Sequence, residues 1–376
     1  MSEVKDDRKR VEEERAKRLK GFVGHNGWRY FAFAMLLGGI GGFAFNTLRM
    51  PLAWMMGAAV FCTVAAMAGL PVGVHNRVRQ FMMVILGVLL GSGFSPQMLD
   101  HIPKWFVTMA IMVLMSVASA GSVWWLLRRR GGYDGRTAYF AAMPGGLNEM
   151  VMLGSVYGAN ERTIALMHAV RILTVVTVIP FFYRLMYGTV SSVFQASAAP
   201  SHSLRDVAIL IGCGAIGAAI ATRIKMPAGM MFGPMLASGI VHLMGWTASK
   251  PPGELVAFAQ VIIGSAIGCR FVGAVFRDVA RDMVFGFFSA ILLIVVAVAF
   301  AQLGHFLSGL PTDDIALSYA PGGFAEMSLV GLALHADIAM VATHHLFRIF
   351  AIVFIGSWVY RRFVEPRLRP PTPTTP

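Results

Sequence analysis

"AAMPGGLNEM", residues 141–150, sets a proline, two adjacent glycines and a carboxylate inside an apolar stretch, and "YAPGGFAEMS", residues 319–328, does so again. Pro144 and Pro321 each remove an amide donor and turn the preceding residue away from helix. Gly145, Gly146, Gly322 and Gly323 tolerate backbone geometry and close approach that other residues forbid. Each stretch therefore reads as a break, after which a new half-helix starts with free N–H groups and a positive dipole end. Non-helical backbone is tolerated at membrane depth only inside protein or against a wet cavity. The question is whether the surroundings are membrane.

Composition says that they are. Of 376 residues, 56% are hydrophobic and 14% charged, and the mean hydropathy is +0.65. Apolar runs near 28–48, 105–127, 163–186, 284–307 and 338–359 reach the roughly 20 residues that span a bilayer. The net charge of +13 sits at the ends of these runs, where it sets topology and meets lipid head groups, so nucleic acid is not the expected partner. Cys62, Cys213 and Cys269 are scattered and form neither a disulfide framework nor a metal cluster. Residues 1–27 mix acids and bases ("KDDRKRVEEERAKRLKGF") without a short apolar core and cleavage site, which predicts a charged cytoplasmic segment rather than a signal peptide.

The chain is a duplication. A shift of 177 residues lays Pro144-Gly145-Gly146 on Pro321-Gly322-Gly323, Glu149-Met150 on Glu326-Met327, His168 on His345 and Arg171 on Arg348. Upstream, Phe81, Gly87, Gly91 and Phe94 fall on Phe258, Gly264, Gly268 and Phe271; Met50, Pro51 and Gly57 fall on Met226, Pro227 and Gly233 at a shift one shorter. The expected organisation is a membrane repeat over 28–187, a linker over 188–203, a second repeat over 204–363 and a Pro-rich cytoplasmic tail over 364–376. Each repeat holds six segments, the fifth being the broken one. If the broken segment re-enters, each half crosses five times and the halves are inverted. Arg77, Arg79, Arg128, Arg129, Arg130, Arg223, Lys225, Arg277, Arg281, Arg361 and Arg362 then share the side of the N-terminus, while 188–203 and 309–336, which lack Lys and Arg, face the other side. A full crossing would strand four of those bases outside. The predicted fold is thus an all-α polytopic membrane protein of two inverted repeats, each of about five transmembrane helices plus one broken re-entrant segment. Gly87, Gly91, Gly264 and Gly268 form small-xxx-small patterns and read as packing residues.

Arg171 and Arg348 lie eleven residues past the N-cap candidates Asn160 and Asp337. At 1.5 Å per residue that is roughly 16 Å, near the middle of the hydrocarbon. Each costs about 2.5–3.5 kcal/mol there, so both must be paired or face water. His168 and His345 precede them by three residues on the same helix face, and imidazole suits a proton-coupled step. Glu149 and Glu326 read either as carboxylates capping their own half-helices, as one half of a Glu–Arg clasp, or as ligand groups. Asn148 faces Ala325 in the repeat and breaks the symmetry. His344 beside His345 completes no metal-ligand spacing.

The doubled P-G-G-x-x-E-M stretch followed by H-x-x-R resembles the AbrB-type bacterial membrane proteins over roughly 28–365. That resemblance implies a multi-pass inner-membrane protein, described in that family as a transporter and elsewhere as a regulator. The expectation is a secondary transporter or exporter of a small solute, with an anionic solute and proton coupling as the forms that the matched charged residues suggest. Arg171 and Arg348 would hold an anionic group, and Glu149 and Glu326 would bind a proton or cation, with lipid and the solute or ion as partners. Neither an enzyme nor a cofactor is expected, since no nucleophile with a facing base appears. The rival reading is a membrane sensor or regulatory protein that moves no solute.

Overall fold

The computed structural model describes residues 27–94, 96–187, 203–226, 228–274, 276–334 and 336–368. The charged N-terminal segment, the linker and most of the tail lie outside them. Among the described residues every regular element is helical. The first half runs α1 (Trp28–Thr47), α2 (Ala53–Met67), α3 (Asn76–Gly91), α4 (Ile102–Arg129), α5 (Gly135–Ala142), α6 (Leu147–Val156) and α7 (Glu161–Tyr187). The second repeats it as α8 (Leu204–Arg223), α9 (Gly229–Leu243), α10 (Gly253–Gly268), α11 (Phe276–Ser308), α12 (Thr312–Tyr319), α13 (Phe324–Ala333) and α14 (Ile338–Ala351). Two π-turns, Ile352–Gly356 and Tyr360–Val364, carry the last helix on to Leu368. Among the described residues, seven helices are long and apolar enough to cross a bilayer. This is an all-α polytopic membrane protein.

Not every expected span has that length. The helices α2 and α9 have 15 residues and α3 has 16. At about 22–24 Å they fall short of a ~30 Å hydrocarbon core. They sit instead at the centre, where α2 packs on α10 and α9 on α3, so that each half inserts a short helix against the other half. The glycines make this possible. A Cβ on Gly87 would strike the carbonyl of Met231, and one on Gly264 that of Met55, positions related by the duplication. Within the halves Gly41 meets Gly57, and Gly217 meets Gly233, backbone against backbone. The packing role read from these glycines is the one they have.

The corner that turns α1 into α2 is also duplicated. Arg49 and Leu52 take φ of 51° and 48°, and Lys225 and Ala228 take 53° and 52°. Left-handed backbone at four non-glycine residues costs of order 1 kcal/mol each and persists only where packing over-determines it. The contacts between halves are likewise reciprocal: α1 on α10 matches α8 on α3, and α7 on α11 matches α14 on α4. The largest core, around Met55, Leu86, Val175, Ile262 and Met327, draws on both halves.

Candidate functional site

Each broken segment is a pair of half-helices, α5/α6 and α12/α13. Asp134 caps α5 by accepting from the amides of Arg136 (3.0 Å) and Thr137 (2.9 Å), and the helix stops where Met143 turns extended (φ −64°, ψ 128°) ahead of Pro144. Ala320 ends α12 in the same way (φ −52°, ψ 133°) ahead of Pro321. The glycines then supply space rather than unusual dihedrals. Gly146 and Gly323 have φ of −67° and −75°. A Cβ on either would collide with the carboxylate of Glu149 or Glu326, and one on Gly322 would lie 2.7 Å from Met327 Cγ. Both glutamates fold back over the start of their own half-helix, where Glu326 accepts from its own amide. That is the capping position read from the sequence.

The histidines and arginines of α7 and α14 close the other side of the break. His168 Nε2 donates to the carbonyl of Phe140 (3.0 Å), and His345 Nε2 to that of Leu317 (3.1 Å). Arg171 donates to Met143 O (2.9 Å) and Gly145 O (2.8 Å). Arg348 donates to Tyr319 O (3.3 Å), Ala320 O (2.6 Å) and Gly322 O (3.1 Å), and to His345 Nδ1 (2.8 Å). These acceptors are carbonyls that a helix end leaves without partners, and a guanidinium fork is well shaped to gather them. Arg171 and Arg348 are 3% and 4% exposed.

This corrects two expectations. Neither arginine is paired with Glu149 or Glu326, so the Glu–Arg clasp is absent among the described residues, and both forks are taken up by backbone carbonyls. Nor is His345 placed as a proton carrier. Protonating His345 at Nδ1 would break its bond from Arg348 and set two cations side by side. The H-x-x-R motif is a staple for the break.

What faces outward is different. Asn148 is exposed, and Glu149, Glu326 and Gly146 keep part of their surface. Beside them lies a residue the sequence reading passed over. Arg270, in the turn Cys269–Phe271 after α10, is exposed although protein surrounds it on most sides, and the charges of Glu149, Glu326 and Arg79 all act on it. Its counterpart under the shift is Gly93, so a search for matched residues cannot find it. The available signal was a lone arginine inside "SAIGCRFVGAV". A cavity of about 210 Å³ between α4, α5 and α14, lined by Met112, Ser116, Tyr139, Phe347 and Arg348, is almost wholly apolar and includes none of these groups.

With this geometry the chain can be compared with known proteins. A family model described as "Transition state regulatory protein AbrB" matches residues 54–364. The chain belongs to the AbrB family. The match takes in both broken segments and both H-x-x-R helices, as the motif resemblance implied. YhjN, an uncharacterized protein of Bacillus subtilis (strain 168), is 28% identical over 346 residues, covering 85% of this chain and 90% of its own length. A protein of Escherichia coli (strain K12) labelled a regulator, AbrB, is 24% identical over 342 residues, covering 89% of this chain and 95% of its own length.

Proposed function

We propose that the chain is a secondary transporter of a small solute. In this reading the two repeats are inverted, each crossing five times and dipping one broken helix into the membrane, and the solute binds among the starts of α6 and α13. One observation carries it: two half-helices of common origin are packed unequally. The helix α6 buries only Met150 and Gly154, whereas α13 buries every residue but Glu326 and Leu332. The difference has a source in the contacts. The helix α13 packs on α3 and α7, whereas among the described residues the packing of α6 on α10 and α14 is weaker.

A duplicated molecule caught with one copy open and the other closed has a second state of similar energy, reached by exchanging the two arrangements. Such an exchange exposes a midplane site to each side in turn. The distribution of Lys and Arg favours a cytoplasmic N-terminus; in this reading Arg270 and the open copy share that side, which makes the arrangement inward-open. Glu149 and Glu326, carboxylates at the starts of the two half-helices that keep part of their surface, are in this reading the carriers of a coupled proton.

The family and Escherichia coli labels favour a second reading, a membrane sensor that recruits a partner through residues 1–27. The two separate cleanly. In proteoliposomes with an imposed proton gradient, deleting residues 2–20 leaves solute uptake intact in a transporter, while Glu149→Gln combined with Glu326→Gln reduces it to background in a protein that still elutes as one folded species. Proton-dependent uptake that survives the double substitution would remove both carboxylates from the mechanism.

A further inference from the structure

We propose that Arg270 is the group that holds the solute, and that the solute is a small anion taken up together with a proton. The inference rests on the transporter reading and adds a chemical class to it.

The placement of Arg270 is fixed from both sides. Phe271 is fully buried in a core formed with Ala34, Cys62 and Val170, and Cys269 and Leu147, the first residue of α6, pack against the same core. A Cβ on Gly268 would lie 2.6 Å from Cys62 Cβ, so the turn is seated directly on α2. The start of α6 and the turn bearing Arg270 are therefore neighbours, and Leu147 also packs against the core that contains Met327 and Leu329 of α13. Arg270 thus stands beside the start of α6, which in turn packs against α13.

Its partners are missing. Among the described residues no carboxylate forms an ion pair with Arg270, although Glu149 from α6 and Glu326 from α13 lie close enough for their charges to be felt. The other charged or titratable groups near it are Arg79 of α3 and His168 of α7. His168 already donates to Phe140 O, and Arg79 is held by Asn76 Oδ1 at 2.9 Å. Arg270 alone has its fork free. A free planar fork open on one side to solvent and seated beside the start of α6 matches a carboxylate, sulfonate or phosphate group, which it can bind through two parallel bonds.

Charge balance supplies the proton. Arg79 and Arg270 offset Glu149 and Glu326, so the empty site is formally neutral. A monoanion leaves it one charge negative, and one proton on either glutamate restores neutrality. Gly93, at the equivalent position of the first half, carries no charge, so the anion stays with Arg270 in both arrangements.

The test needs no knowledge of the solute. Asn148→Cys, in the full chain reconstituted in vesicles, is titrated with two methanethiosulfonate reagents of like size, the anionic sulfonatoethyl and the cationic trimethylammonium-ethyl compound, with the unsubstituted chain as blank. With each rate divided by that of the same reagent on a free thiol in solution, the anionic reagent is expected to be favoured, and adding Arg270→Gln should lower the normalised anionic-to-cationic ratio by roughly tenfold or more, while Arg270→Lys should keep most of it. A normalised ratio that favours the cationic reagent with Arg270 present, or one that does not move when Arg270 is replaced, overturns the proposal. Failure of both reagents to reach Asn148→Cys would instead refute the open site, and with it the transporter reading.

Discussion

Arg348→Met should leave little folded protein. Buried methionine cannot serve the carbonyls of Tyr319, Ala320 and Gly322, and it also strips His345 Nδ1 of its donor. A buried polar group left without a partner costs about 1–3 kcal/mol. Even with partial relaxation the loss comes to about 3–6 kcal/mol, a large share of the 5–15 kcal/mol that holds a typical protein together. Arg171→Met, which frees the carbonyls of Met143 and Gly145, should cost less. Arg348→Lys should lie between, since an ammonium keeps the charge but cannot reach both sides of the break at once. Thermal unfolding of detergent-purified protein, followed by the monodisperse fraction, gives the ranking. An Arg348→Met protein with unchanged melting and lost transport would mean that the arginine serves the ligand and not the fold.

The second large effect separates two positions that the duplication makes equivalent. Asn148 is exposed and Ala325 is 4% exposed. Cysteines placed at the two positions should therefore differ in reaction with a membrane-impermeant thiol reagent. If uncovering Ala325 requires α13 to leave α3 and α7 at a cost of about 3 kcal/mol, the ratio of rates exceeds a hundredfold. Equal rates would show that the two half-helices are packed alike and would remove the asymmetry on which the functional reading stands.

Much of this fold could be read from the sequence, because duplication and hydropathy are both written in residue types. Pro144 and Pro321 fall where the helices break, and Gly87 and Gly264 touch the backbone of the opposite half. The shortness of α2 and α9 was less visible, since a buried central helix and a crossing helix are equally apolar. The roles within the motif were harder still. A matched Glu, His and Arg mark a conserved geometry between the repeats, but not whether a side chain binds a ligand or its own backbone. Here the carbonyls freed by the break claimed the arginines, an outcome set by backbone hydrogen bonding that no residue letter records. Arg270 was hidden for the opposite reason: it has no partner in the repeat, and function placed off the pseudo-symmetry axis leaves no trace in a self-comparison.

The central claim is that two inverted copies take turns in opening one site. It is tested most directly by the sidedness of cysteine labelling in oriented vesicles, at rest and under an imposed proton gradient with a transported anion present. Asn148→Cys should react from the side that carries Arg128, Arg129 and Arg130, and Ala325→Cys should react only from the opposite side and only during turnover. Reaction of both positions from the same side, or an Ala325→Cys that stays silent while solute crosses, would contradict the account.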